Sequence, residues 1–151
     1  MLKPKRVRSR GSTGGDPYVS ALLRGIDAGK NALKAGKGTR IFSQGDQADA
    51  IYFIETGRVK ISVVSTGGKE AVLVILGAHD FFGEGCLVGQ PLRISTATAL
   101  ESSVLFRVEK SAMLQALSSQ PKLSEKFIAS LLVRNINLDR KSTRLNSSHE
   151  R

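Results

Sequence analysis

The chain has 151 residues, 40% hydrophobic and 24% charged, which is room for one domain with a real core and an ordinary globular composition. No apolar run approaches the ~20 residues that cross a bilayer, and no apolar segment of signal-peptide type follows the basic start, so a soluble, cytoplasmic protein with no membrane partner is expected. The formal charge of +10 is concentrated at the ends: residues 1–10 hold Lys3, Lys5, Arg6, Arg8 and Arg10 and no acid, whereas residues 11–138 balance 14 basic against 11 acidic side chains.

Residues 1–16 lack apolar periodicity and read as a disordered basic leader. Tyr18, Leu22, Leu23 and Ile26 then recur at helical spacing after Pro17, which predicts a short amphipathic helix over 17–28 stopped by Gly29. From Asn31 to Val108 the texture is short β-prone runs separated by glycine turns. The runs are Asn31–Lys34, Thr39–Phe42, Ile51–Thr56, Arg58–Val64, Glu70–Leu76, Asp80–Phe82, Ile94–Ala99 and Ser103–Val108. The turns centre on Gly36-Lys37-Gly38, Gly45-Asp46, Thr56-Gly57, Thr66-Gly67-Gly68 and Gly77. Val59, Ile61 and Val63 alternate with Lys60 and Ser62, while Val72-Leu73-Val74-Ile75 is apolar throughout and predicts a strand covered on both faces. The pattern predicts a mainly β fold with flanking helices, an antiparallel, jelly-roll-like β-roll with few exposed edges.

Lys110–Leu117 predicts a short helix with Met113, Leu114 and Leu117 on one side. After Pro121 a longer helix is predicted over 122–138, with Leu123, Phe127, Leu131 and Ile136 on its stripe and Ile128 and Leu132 beside it. That stripe is wide enough to require a partner helix, in this chain or a second subunit. Residues 139–151 break the pattern and are expected to be a non-native tail, so the native sequence past 138 is expected to be missing.

The chemistry concentrates in Phe81–Leu100. Gly83-Glu84-Gly85 follows two phenylalanines, and Arg93 comes after a Gly-Pro loop. Glycines allow close backbone approach to a ligand and can present N–H groups to an anion. A carboxylate can accept from a sugar hydroxyl, and a guanidinium can grip a phosphate bidentately. Ser95 and Thr96 add possible donors. The competing reading is a structural ion pair between Glu84 and Arg93 bridging the loop. The lone Cys86 excludes an internal disulfide or a cysteine-rich metal site and suits a buried small residue. His79 and His149 are too far apart to suggest metal ligation, so neither a metal nor catalysis is expected.

The run Ile41–Lys60 and the cassette Phe82-Gly83-Glu84-Gly85-Cys86-Leu87 with Pro91, Arg93, Thr96 and Ala99 resemble the cyclic nucleotide-binding domain, most closely that of the Crp/Fnr transcription regulators. The resemblance covers residues 20–138. It implies a β-roll over 17–121 and the start of a dimerisation helix over 122–138. Glu84 would meet a ribose hydroxyl and Arg93 the cyclic phosphate, with Gly83, Gly85 and Cys86 supplying backbone and Ile94 and Ser95 completing the ligand-binding set. Ile94 stands where cyclic AMP binders usually carry a small residue, which points to a crowded phosphate or an altered ligand. Implied partners are a small-molecule effector such as cyclic AMP, a second copy in a homodimer, and DNA through a helix-turn-helix domain outside this chain. The alternative is the same module regulating a kinase, channel or transporter.

Overall fold

The computed structural model describes residues 29–134 together with residues 19, 21 and 23–26. The expected leader over 1–16, the tail over 139–151 and the end of the last helix with Ile136 lie outside the described residues. Among the described residues there are eight strands: β1 (Lys30–Ala35), β2 (Arg40–Phe42), β3 (Ala50–Thr56), β4 (Val59–Val64), β5 (Glu70–Leu76), β6 (Phe81–Phe82), β7 (Thr96–Ala99) and β8 (Ser103–Glu109). Each predicted β-run corresponds to one of them. They form two four-stranded sheets, ordered β1-β8-β3-β6 and β2-β7-β4-β5, and every pairing is antiparallel.

Alternation of side chains divides the apolar residues between two cores. Ala50, Tyr52 and Ile54 of β3 point inward and meet Val59, Ile61, Leu76, Ala97 and Ala99 of the facing sheet. Ile51 and Phe53 of the same strand point outward, where Val19, Leu23, Met113, Leu123 and Phe127 cover them with helix. The dipeptide of β6 follows the same rule, with Phe82 in the core between the sheets and Phe81 under the helices.

Val19, Ala21 and Leu23 are helical, within the helix predicted over 17–28. The helix Lys110–Ser119 buries Met113 and Ala116. Leu114, expected on its buried side, is instead exposed. Gln120 leaves helical geometry at φ −125°, ψ 91°, as the residue before a proline must, and Pro121 opens the last helix, described over 121–134. Leu123 and Phe127 are buried on it, while Ile128, Leu132 and Val133 are exposed.

Two expectations need correction. Val72–Ile75 is not covered on both faces: β5 pairs only with β4, at the rim of its sheet, and Val72 and Leu73 are half exposed. The roll therefore leaves an edge open among the described residues. The fifth turn takes its positive φ at His79 (73°) rather than at Gly77, whose N–H donates to the Asp80 carboxylate at 2.9 Å.

Gly57 is the glycine with least latitude. Its φ is +105°, and a Cβ there would lie 2.7 Å from the backbone Cα of Ser103. Gly68 has a φ of +87° with open space around it. We therefore expect Gly57→Ala to destabilise the fold by more than ~2 kcal/mol and Gly68→Ala by about 1 kcal/mol, read from urea unfolding midpoints.

Candidate functional site

The chain leaves β6 through Gly83, whose left-handed φ of 82° turns it into the 3-10 helix Glu84–Val88. A Cβ at position 83 would sit 2.8 Å from the Arg93 guanidinium, so glycine here makes room for that side chain as well as for the turn. Gly89, again left-handed, reverses the chain toward Arg93. The returning segment is held by the β2–β3 loop: Ala48 N–H donates to the Pro91 carbonyl, Arg93 N–H to that of Asp46 at 2.7 Å, and Gly45 N–H to that of Arg93 at 2.8 Å. Position 93 is thus fixed by a loop some 45 residues earlier in the chain.

Arg93 is only 6% exposed. Its Nη1 donates to the Gly83 carbonyl at 3.1 Å and its Nη2 to the Ala50 carbonyl at 2.7 Å. The guanidinium lies over the Phe42 ring at 4.1 Å, with Tyr52 at 5.8 Å. Its buried Nε has no hydrogen-bond partner, and among the described residues no carboxylate pairs with it. Withdrawing such a charge from water costs several kcal/mol, and neutral carbonyls compensate for only part of that.

Glu84 does not pair with Arg93. Its Oε1 lies 3.7 Å from Nη1 of Arg134, on the last helix. Arg134 is largely buried, lies over the Phe81 ring at 4.2 Å and donates from Nη2 to the Phe81 carbonyl. Sequence reading missed it, although the signal was present: position 134 continues the Leu123–Phe127–Leu131 stripe, where an arginine is out of place on an apolar face.

A cavity of about 250 Å³ brings these groups together. Gly83, Glu84, Gly85, Arg93, Ile94, Ser95 and Arg134 line it, with Phe42, Ile61, Leu73, Val74, Leu76 and Phe82 as apolar wall. Ile94 stands at the rim, 65% exposed, rather than wedged against the guanidinium. Thr96, next in the alternation after Ser95, faces the other side of the sheet, and its Oγ1 accepts from Gln44 N–H at 2.9 Å. Cys86 is buried and absent from the lining. Burial pushes its thiol above the ordinary range, against the opposing pull of the Arg93 charge, which leaves it protonated and unreactive at neutral pH. Among the described residues, no three His, Cys, Asp or Glu side chains gather as a metal site, and no helix is long and apolar enough to cross a membrane.

Comparison with known proteins agrees with this architecture. The family model of the cyclic nucleotide-binding domain matches residues 33–120. The Cyclic AMP receptor protein of Thermus thermophilus is 31% identical over 100 residues, covering 66% of this chain and 46% of that protein. The chain spans between 19% and 46% of the length of this and similar curated relatives. The sensor domain of the transcriptional regulator DNR from Pseudomonas aeruginosa superposes with a TM-score of 0.65 at 30% identity, covering 76% of this chain and 77% of that one. The cAMP-bound form of the EAL enzyme Bd1971 gives a TM-score of 0.55 at 34% identity, covering 77% of this chain and 30% of that one. A family match over more than half of the sequence, on a roll of this topology, makes the chain a member of the cyclic nucleotide-binding domain family, of the type found in Crp/Fnr regulators.

Proposed function

We propose that the cavity binds a cyclic nucleotide or a closely similar phosphate-bearing anion, and that the chain is the effector-sensing unit of a Crp/Fnr-type transcription regulator. The observation that carries this reading is the buried Arg93 guanidinium, bonded to carbonyls alone and retaining an unpartnered Nε beside a cavity. An anion entering there replaces the missing counter-charge, in surroundings where charge-assisted hydrogen bonds are strong.

In this reading Arg93 takes the phosphate, and Glu84, one-third exposed on the cavity wall, accepts from a ribose hydroxyl. Gly83 and Gly85 offer backbone N–H groups, Ser95 its hydroxyl, and Cys86 supports the short helix from behind. Ile94 borders the anion site without donating to it. Binding is reported to the last helix through Glu84 and Arg134, an ion pair that joins the cassette to that helix. The exposed Ile128, Leu132 and Val133 supply an apolar face for pairing with a second copy. DNA contact belongs to a domain outside this chain, and the setting is cytoplasmic. The role is binding and signalling rather than catalysis.

The likeness to Bd1971 supports a second reading, in which the same module regulates an attached enzyme. The sequence following the last helix in the intact gene separates the two, since a helix-turn-helix domain there selects the first.

Titration calorimetry with cyclic AMP and cyclic GMP tests the binding claim. Saturable binding of either is expected, weakened about 100-fold or more by Arg93→Ala and less by Arg93→Lys, which keeps the charge but loses the fork. Thermal melts of each variant check that the fold persists. Unchanged affinity in a folded Arg93→Ala variant sinks the assignment. Arg134→Ala is expected to remove the ligand-dependent change in hydrogen exchange of the helix over 121–134, while costing less affinity than Arg93→Ala.

A further inference from the structure

The ladder between β4 and β7 stops short. It runs from Val59 opposite Ala99 to Ser62 opposite Thr96, and the same register would bring Ile94 opposite Val64. Ile94 lies outside β7, in the segment that carries Arg93 to the cavity. On its other side β4 pairs with β5, where the bond from Ser65 N–H to the Lys69 carbonyl leaves Val64 to the alternate, β7-facing position. The rung that a longer β7 would supply is replaced by a side chain: Val64 N–H donates to Oε1 of Gln44 at 3.0 Å. Gln44 N–H in turn donates at 2.9 Å to Oγ1 of Thr96, the first residue of β7. One residue thus grips both strands where they part.

Gln44 belongs to the turn Ser43–Asp46, which is closed on itself. Ser43 N–H donates to the Asp46 carboxylate and Asp46 N–H to the Ser43 carbonyl, both at 2.9 Å. The two residues after Gln44 bond both backbone polar groups of Arg93, Gly45 through its N–H and Asp46 through its carbonyl. A closed turn shifts as a unit, so what holds Gln44 also sets the backbone of Arg93. The bonds of the guanidinium to the Gly83 and Ala50 carbonyls fix only the far end of that side chain. Gln44 itself is exposed, lines a groove on the outer face of the sheet, and is absent from the cavity lining. Its influence on a ligand in the cavity therefore passes through the Arg93 segment.

We propose that Gln44 is a positioning residue for Arg93: its carboxamide takes the place of the missing β7 rung on Val64 and so holds the turn that sets the arginine's backbone. This rests on the reading in which Arg93 takes the phosphate of the ligand. A guanidinium fork recognises by geometry as well as charge, so a displaced Arg93 loses affinity while keeping its charge. What position 44 requires is an acceptor oxygen at the end of the side chain, which glutamate also carries and leucine lacks. Because Gln44 is exposed, either replacement leaves the core intact.

Gln44→Leu and Gln44→Glu are compared in the full 151-residue chain, by calorimetry with cyclic AMP and cyclic GMP and by amide hydrogen exchange. The amides of Val64, Gly45 and Arg93 are expected to exchange about fivefold faster in Gln44→Leu and at the original rate in Gln44→Glu. Nucleotide affinity should fall about fivefold in Gln44→Leu and return in Gln44→Glu. Unchanged affinity in Gln44→Leu, or an equal loss in both variants, overturns the proposal, since the acceptor oxygen would then not be what matters. If neither nucleotide binds the unsubstituted chain, the assignment of the cavity fails separately and exchange alone decides. Faster exchange at Gly45 and Arg93 in Gln44→Leu but not in Gln44→Glu keeps Gln44 as the holder of residue 93; exchange altered in both variants or in neither removes it.

Discussion

The guanidinium of Arg93 is the group around which this roll is arranged. It reaches the start of β3 through the Ala50 carbonyl, the end of β6 through Gly83, and β2 through the ring of Phe42. These contacts come from separate parts of the sequence, and none brings a negative charge. Buried ions are usually matched by a carboxylate. Here the residual demand is left facing a cavity, and the aromatic group of Phe42, Tyr52 and Phe82, whose centroids lie 5.3 to 5.8 Å apart, backs it with apolar surface. A site left electrostatically incomplete is less stable than one satisfied internally, and an anion is the kind of group that would make up the deficit.

Much of this was legible in the sequence, for reasons that differ between elements. The strands were readable because glycines marked the turns and β-branched residues filled the runs between them. Gly83-Glu84 and Arg93 could be singled out because their spacing encloses a loop, and all three line one cavity. The loop that holds Arg93 in place was not readable: the bonds from Gly45 and Ala48 and to Asp46 are made by backbone atoms, which no side-chain pattern reveals. Partner choice was hidden for a related reason. Spacing left open an ion pair between Glu84 and Arg93, and the structure pairs Glu84 with Arg134, whose approach depends on how the last helix packs. The exposure of β5 was misread because an apolar run records what a strand contains and not how many neighbours its sheet provides.

The last helix illustrates the same division. Leu123 and Phe127 close the outer core, and Ile128, Leu132 and Val133 remain uncovered around the same cylinder. One helix therefore carries both a surface that belongs to the roll and one that does not. Arg134 sits where the first of these meets the cavity. A roll of this kind occurs both in the sensor domain of a transcriptional regulator and in an EAL enzyme, so the same fold is found beside different neighbours.

The split of Phe81 and Phe82 between two cores has a mechanical consequence. The peptide bond between them is rigid, and β6 has only these two residues, paired with β3 on one side. Phe82 borders the cavity, while Phe81 packs against Phe127 at 4.7 Å and lies beneath Arg134. One short dipeptide, held to β3, therefore supplies both a wall of the cavity and a ring beneath the last helix. At this point the sheet between the cavity and the helices is two residues deep in sequence, with one ring committed to each side.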